Sequence, residues 1–101
     1  MKKLLLIPLL MTLPFVAHAN ETDRCAAISS LAEGVMTARQ NNVDIVQVIE
    51  IVSSNPITAE LGIVLAKEAY AKPRFNTERI QKETIREFKN DVYLQCLNAR
   101  N

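Results

Sequence analysis

The two cysteines, Cys25 and Cys96, are the residues to which the sequence assigns the most specific chemistry. In an oxidising compartment they allow one intramolecular disulfide, which closes a loop of about 70 residues and contributes roughly 4 kcal/mol in the chain-entropy model. A redox-active pair usually lies close in sequence, as in a C-x-x-C motif. We therefore predict a structural disulfide between Cys25 and Cys96.

The amino-terminal residues indicate an oxidising compartment. Lys2 and Lys3 precede an apolar run over residues 4–16, which is followed by the small-x-small sequence A-H-A. These are the three parts of a cleavable secretory signal peptide, and the apolar run is too short to span a bilayer as a helix. We expect a signal peptide over residues 1–19 and a single domain over residues 20–101, periplasmic or secreted, with no stable membrane anchor.

Other reactive groups are sparse. The single histidine, His18, would leave with the signal peptide, so a Ser-His or Cys-His nucleophilic pair cannot be built. Gly34 and Gly62 are the only glycines, which excludes a glycine-rich phosphate loop. The eleven acidic residues are spread along the chain, so no paired-carboxylate site can be selected. We expect no enzyme, no metal and no cofactor.

The charge balance argues against a nucleic-acid partner. The chain has twelve Lys and Arg against eleven Asp and Glu, a net charge of +1. Loss of Lys2 and Lys3 leaves ten basic residues against eleven acidic ones, a net charge of about −1. A nucleic-acid-binding domain carries a clustered basic excess, which this chain lacks.

The spacing of apolar residues predicts an all-α fold with about four helices. The helices are expected over residues 23–40, 44–53, 56–70 and 77–97. Short connections favour a small antiparallel bundle, in which the ends that carry the two cysteines meet. The topology therefore agrees with one disulfide that ties the bundle. The second helix is rich in Val and Ile, and we expect it to be the most buried element.

Local signals add detail to this fold. Asp23 is the expected cap of the first helix. Asp44 and Gln47 have the spacing of a capping box at the second. Gly62, in the middle of the third, costs roughly 1 kcal/mol relative to Ala, so we expect a close helix crossing there. A favourable i, i+4 ion pair is expected on the fourth helix between its early Glu and Lys residues.

A stripe of small residues runs along the first helix at Ala27, Ser30, Gly34 and Ala38. Small side chains at this spacing allow another backbone to approach closely. The neighbour could be a second helix of the same domain or a partner chain. We favour packing within the domain and keep a partner surface as the alternative.

The connection between the third and fourth helices holds the candidate protein-contact residues Tyr70, Lys72, Arg74 and Phe75. Tyr and Arg are enriched in binding hot spots, and loops on rigid scaffolds often carry recognition. The alternative is structural, with Phe75 packed on the fourth helix and Tyr70 packed near the end of the third with its hydroxyl in water, and we favour it. For Arg39 we expect interaction with the end of the first helix rather than a buried ion pair.

Several segments carry a family resemblance: A-Y-A-K-P-R-F at residues 69–75, E-F at 87–88 and Y-x-x-C at 93–96. The first helix adds C-x-x-I at residues 25–28, a Met at 36 and A-R-Q at 38–40. They resemble a family of small exported helical two-cysteine proteins of Gram-negative bacteria and their phages, over nearly all of residues 20–101. The resemblance implies a disulfide-tied helical fold and no mechanism. A looser similarity, to periplasmic acid-stress chaperones, concerns architecture only.

These features favour a non-enzymatic protein-binding module, acting in inhibition, immunity or envelope regulation. The alternative is an acid- or stress-activated periplasmic chaperone. In acid the eleven carboxylates would be neutralised, and about ten positive charges would repel one another. An enzyme is the least favoured class.

Overall fold

The computed structural model describes residues 21–99, and the predicted signal peptide lies outside the described residues. Within this part the chain forms four α-helices and no strand. The helices are α1 (Glu21–Gln40), α2 (Ile45–Ser53), α3 (Ala59–Tyr70) and α4 (Glu78–Ala99). The predicted all-α bundle of about four helices, tied by one disulfide, is confirmed.

The two long helices, α1 and α4, lie antiparallel and are joined by the disulfide. The Cα atoms of Cys25 and Cys96 are 5.6 Å apart, and their sulfurs are bonded. Glu33 lies eight residues after Cys25, and its Oε1 is 3.5 Å from Nζ of Lys89, which lies seven residues before Cys96. The two helices therefore keep the same antiparallel register from the disulfide to the Glu33–Lys89 pair.

The core forms where α1 meets α3 on one side and α4 on another. Its buried members on these helices are Ala32, Val35, Met36, Leu65, Ala66, Ala69, Phe88 and Val92. The central helix is thus α1, which has two neighbours, while α2 packs against α3 and makes little contact with α1.

The expectation that α2 is the most buried element is wrong. Val48 and Val52 are its buried residues, whereas Val46 and Ile51 are 64% and 69% exposed. This helix has one main neighbour, α3. Since α2 is apolar around most of its circumference, a single neighbour covers only part of its apolar surface.

Three local expectations also differ from the structure. Asp23 lies within α1 rather than before it. Asp44 occupies the N-cap of α2 with an extended backbone, but its side chain makes no capping hydrogen bond, so the predicted capping box is wrong. The third helix begins at Ala59 rather than at Pro56, because a turn precedes it in which Asn55 Oδ1 accepts a hydrogen bond from the amide of Ile57 at 3.0 Å.

Two other local expectations are confirmed. A Cβ atom added to Gly62 would lie 2.7 Å from Cβ of Val52, so α2 and α3 cross closely at this glycine. On the exposed side of α4, Lys82 Nζ lies 3.4 Å from Glu78 Oε2, which is the expected i, i+4 pair.

Replacing each helical glycine by alanine separates packing from helix propensity. We expect Gly62→Ala to lower the free energy of unfolding by about 1–3 kcal/mol, because the new methyl group overlaps Val52. Gly34→Ala is expected to raise it by about 0.5–1 kcal/mol, since no atom lies within 4 Å of the added carbon. Urea denaturation followed by circular dichroism measures both, and shifts of the same sign would contradict this account.

Removing the disulfide should weaken the domain substantially. For the double variant Cys25→Ser with Cys96→Ser we expect a loss of about 2–5 kcal/mol, because the unfolded chain regains the freedom of a long loop. Thermal unfolding with and without reductant checks it. Reductant should bring the wild-type midpoint to that of the variant and leave the variant unchanged. A wild-type midpoint that does not respond to reductant would argue against this contribution.

Candidate functional site

Hydrogen bonds hold the connection after α3 against the end of α1. The hub is Gln40, which is 1% exposed. Its Nε2 donates to the carbonyl of Pro73 at 3.0 Å, and its Oε1 accepts from the amide of Phe75 at 2.9 Å. Nε of Arg74 donates to the main-chain carbonyl of Gln40 at 3.1 Å. One buried amide therefore fixes the path of the connection.

Tyr70 and Arg39 add contacts at the same end of the molecule. The Tyr70 hydroxyl does not lie in water as expected, because it donates to the carbonyl of Val43 at 2.6 Å. Nε of Arg39 donates to the carbonyl of Lys72 at 3.0 Å, and its guanidinium carbon lies 5.4 Å from the centre of the Tyr70 ring. Burial raises the pKa of the Tyr70 hydroxyl, against the opposing effect of the Arg39 charge. Arg39 lies in the last turn of α1, as expected.

The four candidate contact residues therefore share one segment but differ in environment. Tyr70 and Phe75 are half-buried and hydrogen-bonded, while Lys72 and Arg74 are exposed. The hydrogen bonds account for Tyr70 and Phe75 as structural residues. A protein contact through the exposed Lys72 and Arg74 stays a prediction.

A second region of interest is an apolar groove between α1 and α2. It consists of two adjoining cavities, of about 260 Å³ and about 510 Å³, which share Leu31 in their linings. The apolar groove is defined by Ala27, Leu31, Gly34 and Ala38 of α1, Ile51 of α2 and Ile57 of the turn between α2 and α3.

The stripe of small residues on α1 forms the floor of this groove. Ala27, Ser30 and Gly34 are exposed, and no atom lies within 4 Å of a Cβ position on Gly34. The expectation that the stripe packs against another helix of the domain is wrong for these three residues. The reason is topological, because α2 packs on α3 and leaves the side of α1 next to it open.

Two isoleucines form the walls of the apolar groove. Ile51 is 69% exposed and Ile57 is 90% exposed. The floor carries no charge, since Glu33 is the one charged residue in the α1 segment 26–38 and its carboxylate pairs with Lys89 on α4. Single exposed apolar residues are common, but a contiguous apolar surface next to a cavity is typical of an interaction site.

Sequence reasoning missed Gln40, Ile51 and Ile57. A signal for the groove was present, because segment 26–38 of α1 contains a single charged residue and so lacks a solvated polar face. No such signal pointed to Gln40, since its partners lie more than 30 residues away in the chain.

Among residues 21–99, no group of three or more His, Cys, Asp or Glu side chains is placed to hold a metal ion. None of the helices in this range has the length and apolar character needed to cross a membrane. Comparison with protein-family models, with curated proteins and with solved structures gave no match.

Gln40→Ala tests the hub of the connection. We expect the free energy of unfolding to fall by about 2–4 kcal/mol, because the carbonyl of Pro73 and the amide of Phe75 lose their partner. Asn41→Ala, at an exposed neighbouring position, is the control and should change it by less than about 0.5 kcal/mol. Hydrogen exchange should show faster exchange at the Phe75 amide in Gln40→Ala alone, and an unchanged rate would contradict the assignment.

Proposed function

We propose that this protein is an exported, non-enzymatic module that binds another protein through the apolar groove. The observation that carries the proposal is the exposure of Ile51 and Ile57 beside an open floor at Gly34. An inhibitor, an immunity protein or an envelope regulator would all act by such a contact.

The energetics of the groove favour binding. Burying a fully exposed isoleucine side chain contributes about 1.5–3 kcal/mol. Ile51 and Ile57 are mostly exposed, so a partner that covered them would gain most of this free energy at each residue. The floor belongs to α1, which the disulfide holds at one end and Gln40 holds at the other. A surface held in this way loses little conformational entropy when a partner binds.

Export is supported by two independent features. The sequence predicts a signal peptide over residues 1–19. The structure contains the Cys25–Cys96 disulfide, a bond that persists in oxidising compartments such as the periplasm or the extracellular space. We therefore place the partner in one of those compartments.

Site-specific photo-crosslinking tests the contact. A benzophenone amino acid replaces Ile51 in one protein and Val46 in a matched control, because both positions are well exposed on α2 but only Ile51 lines the groove. In an envelope or secreted fraction of the cells that make the protein, we expect one partner to crosslink at Ile51 and not at Val46. Equal labelling from both positions, or none from Ile51, would count against the proposal.

Charge substitutions provide the complementary test. Ile51→Glu should abolish retention of the crosslinked partner, since a carboxylate cannot be buried in an apolar contact at low cost, whereas Val46→Glu should keep it. Circular dichroism of both variants controls for folding. If Lys72→Glu with Arg74→Glu abolished retention and Ile51→Glu did not, the contact would lie on the connection between α3 and α4, and the groove proposal would be wrong.

A further inference from the structure

We infer that Cys96 is the site at which a thiol–disulfide oxidoreductase acts on the folded domain, with a mixed disulfide formed at Cys96 and Cys25 as the displaced sulfur. The inference shares with the proposed function only the export of the protein, and it does not depend on the apolar groove. It is carried by the different surroundings of the two cysteines that the disulfide joins.

The two cysteines differ in their access to solvent. Cys25 is 0% exposed. Cys96 is half-buried and lines an open cavity of about 380 Å³, to which α1, α3 and α4 all contribute residues. An attacking thiolate must reach one of the two bonded sulfurs, so access helps to decide which of them is attacked. The folded domain therefore presents its disulfide to an external thiol on the side of Cys96.

The cavity beside Cys96 exists because α3 and α4 both pack on α1 and make little contact with each other. Ile28 of α1 and Leu65 of α3 are among its lining residues, and Ala99 of α4 lines it at an exposed position. A helical side chain covers the surface over the preceding turn, so residue 99 covers the surface at Cys96, three positions earlier. Since residue 99 is alanine, this cover is a single methyl group.

The helix ends favour Cys25 as the displaced sulfur. Cys25 is the fifth residue of α1, whereas Cys96 lies in the last turn of α4. The amino-terminal end of a helix stabilises an anion and the carboxy-terminal end destabilises it. The acidic first-turn residues Glu21 and Asp23 oppose this effect at Cys25, and the adjacent Arg24 offsets part of their charge. A sulfur that is more stable as a thiolate is displaced faster.

The exchange needs no reactant besides the two thiols of the oxidoreductase. To open the bond, one enzyme thiolate attacks the sulfur of Cys96, the bond to Cys25 breaks, and Cys25 leaves as a thiolate. The second enzyme thiolate then attacks the first enzyme sulfur and releases Cys96, so the enzyme is oxidised and the domain is reduced. To close the bond, the same steps run backwards, and the thiolate of Cys25 displaces the enzyme from Cys96.

Reduced glutathione, acting on the full oxidised chain, stands in for the enzyme thiol. Acid stops the reaction, free thiols are alkylated, and peptide mass spectrometry locates the glutathione. We expect it on Cys96 at least about tenfold more often than on Cys25, because the folded domain gives access to Cys96 alone. In concentrated urea the two positions should agree within about twofold, since the unfolded chain exposes both sulfurs.

Two variants with the same bulky side chain locate the path of approach. Ala99→Trp should slow the opening of the disulfide by glutathione about five- to tenfold, because the indole lies over Cys96. Asn98→Trp, at an exposed neighbouring position that does not line the cavity, should change the rate by less than about twofold. The rate is followed as the appearance of alkylatable thiol, and circular dichroism shows that both variants are folded.

Single-cysteine variants decide the case in which the adduct on the wild-type chain is too short-lived to detect. Oxidised glutathione should label Cys96 in Cys25→Ala about tenfold faster than it labels Cys25 in Cys96→Ala. If circular dichroism shows that these variants are unfolded, the comparison of Ala99→Trp with Asn98→Trp decides instead. Faster or equal labelling at Cys25, equal rates for the two position-98 and position-99 variants, or opening only at the rate of global unfolding would each overturn the inference.

Discussion

The Cys25–Cys96 disulfide is the constraint on which the rest of the architecture depends. A domain of this size has a small core, so a covalent link between its two long helices supplies a large part of its net stability. The link sets the antiparallel register of α1 and α4, and Phe88 and Val92 of α4 are buried in the core that α4 forms with α1. One side of α1, the central helix, is covered by α4, and a second side is covered by α3. The third side of α1 is left for α2 or for a partner.

The opposite end of α1 is fixed by polar contacts instead of a covalent bond. The side chain of Gln40 bonds to the connection after α3, and Tyr70 bonds to Val43 in the turn after α1. Both ends of the groove floor are therefore held by contacts that do not involve α2. The wall at Ile51 belongs to an element attached mainly through α3, so the floor and the wall are positioned by different parts of the fold.

Because α2 leaves one side of α1 open, apolar residues that a closed bundle would bury form part of the surface. In a closed four-helix bundle, Ile51 would contribute to the core and Gly34 would meet a neighbouring helix. Here α2 crosses α3 closely at Gly62, and that crossing directs Val52 inward while leaving the side toward α1 uncovered.

The sequence alone determined the features that are local or that follow from counting. Helical periodicity placed the four helices within a few residues, two cysteines allowed one pairing, and Gly62 indicated a close crossing, because each depends on nearby residues or on arithmetic. Only the tertiary structure decided which apolar residues remain exposed. The exposure of Ile51 and Gly34, and the role of Gln40, depend on which helices become neighbours, a property of contacts between residues far apart in the chain.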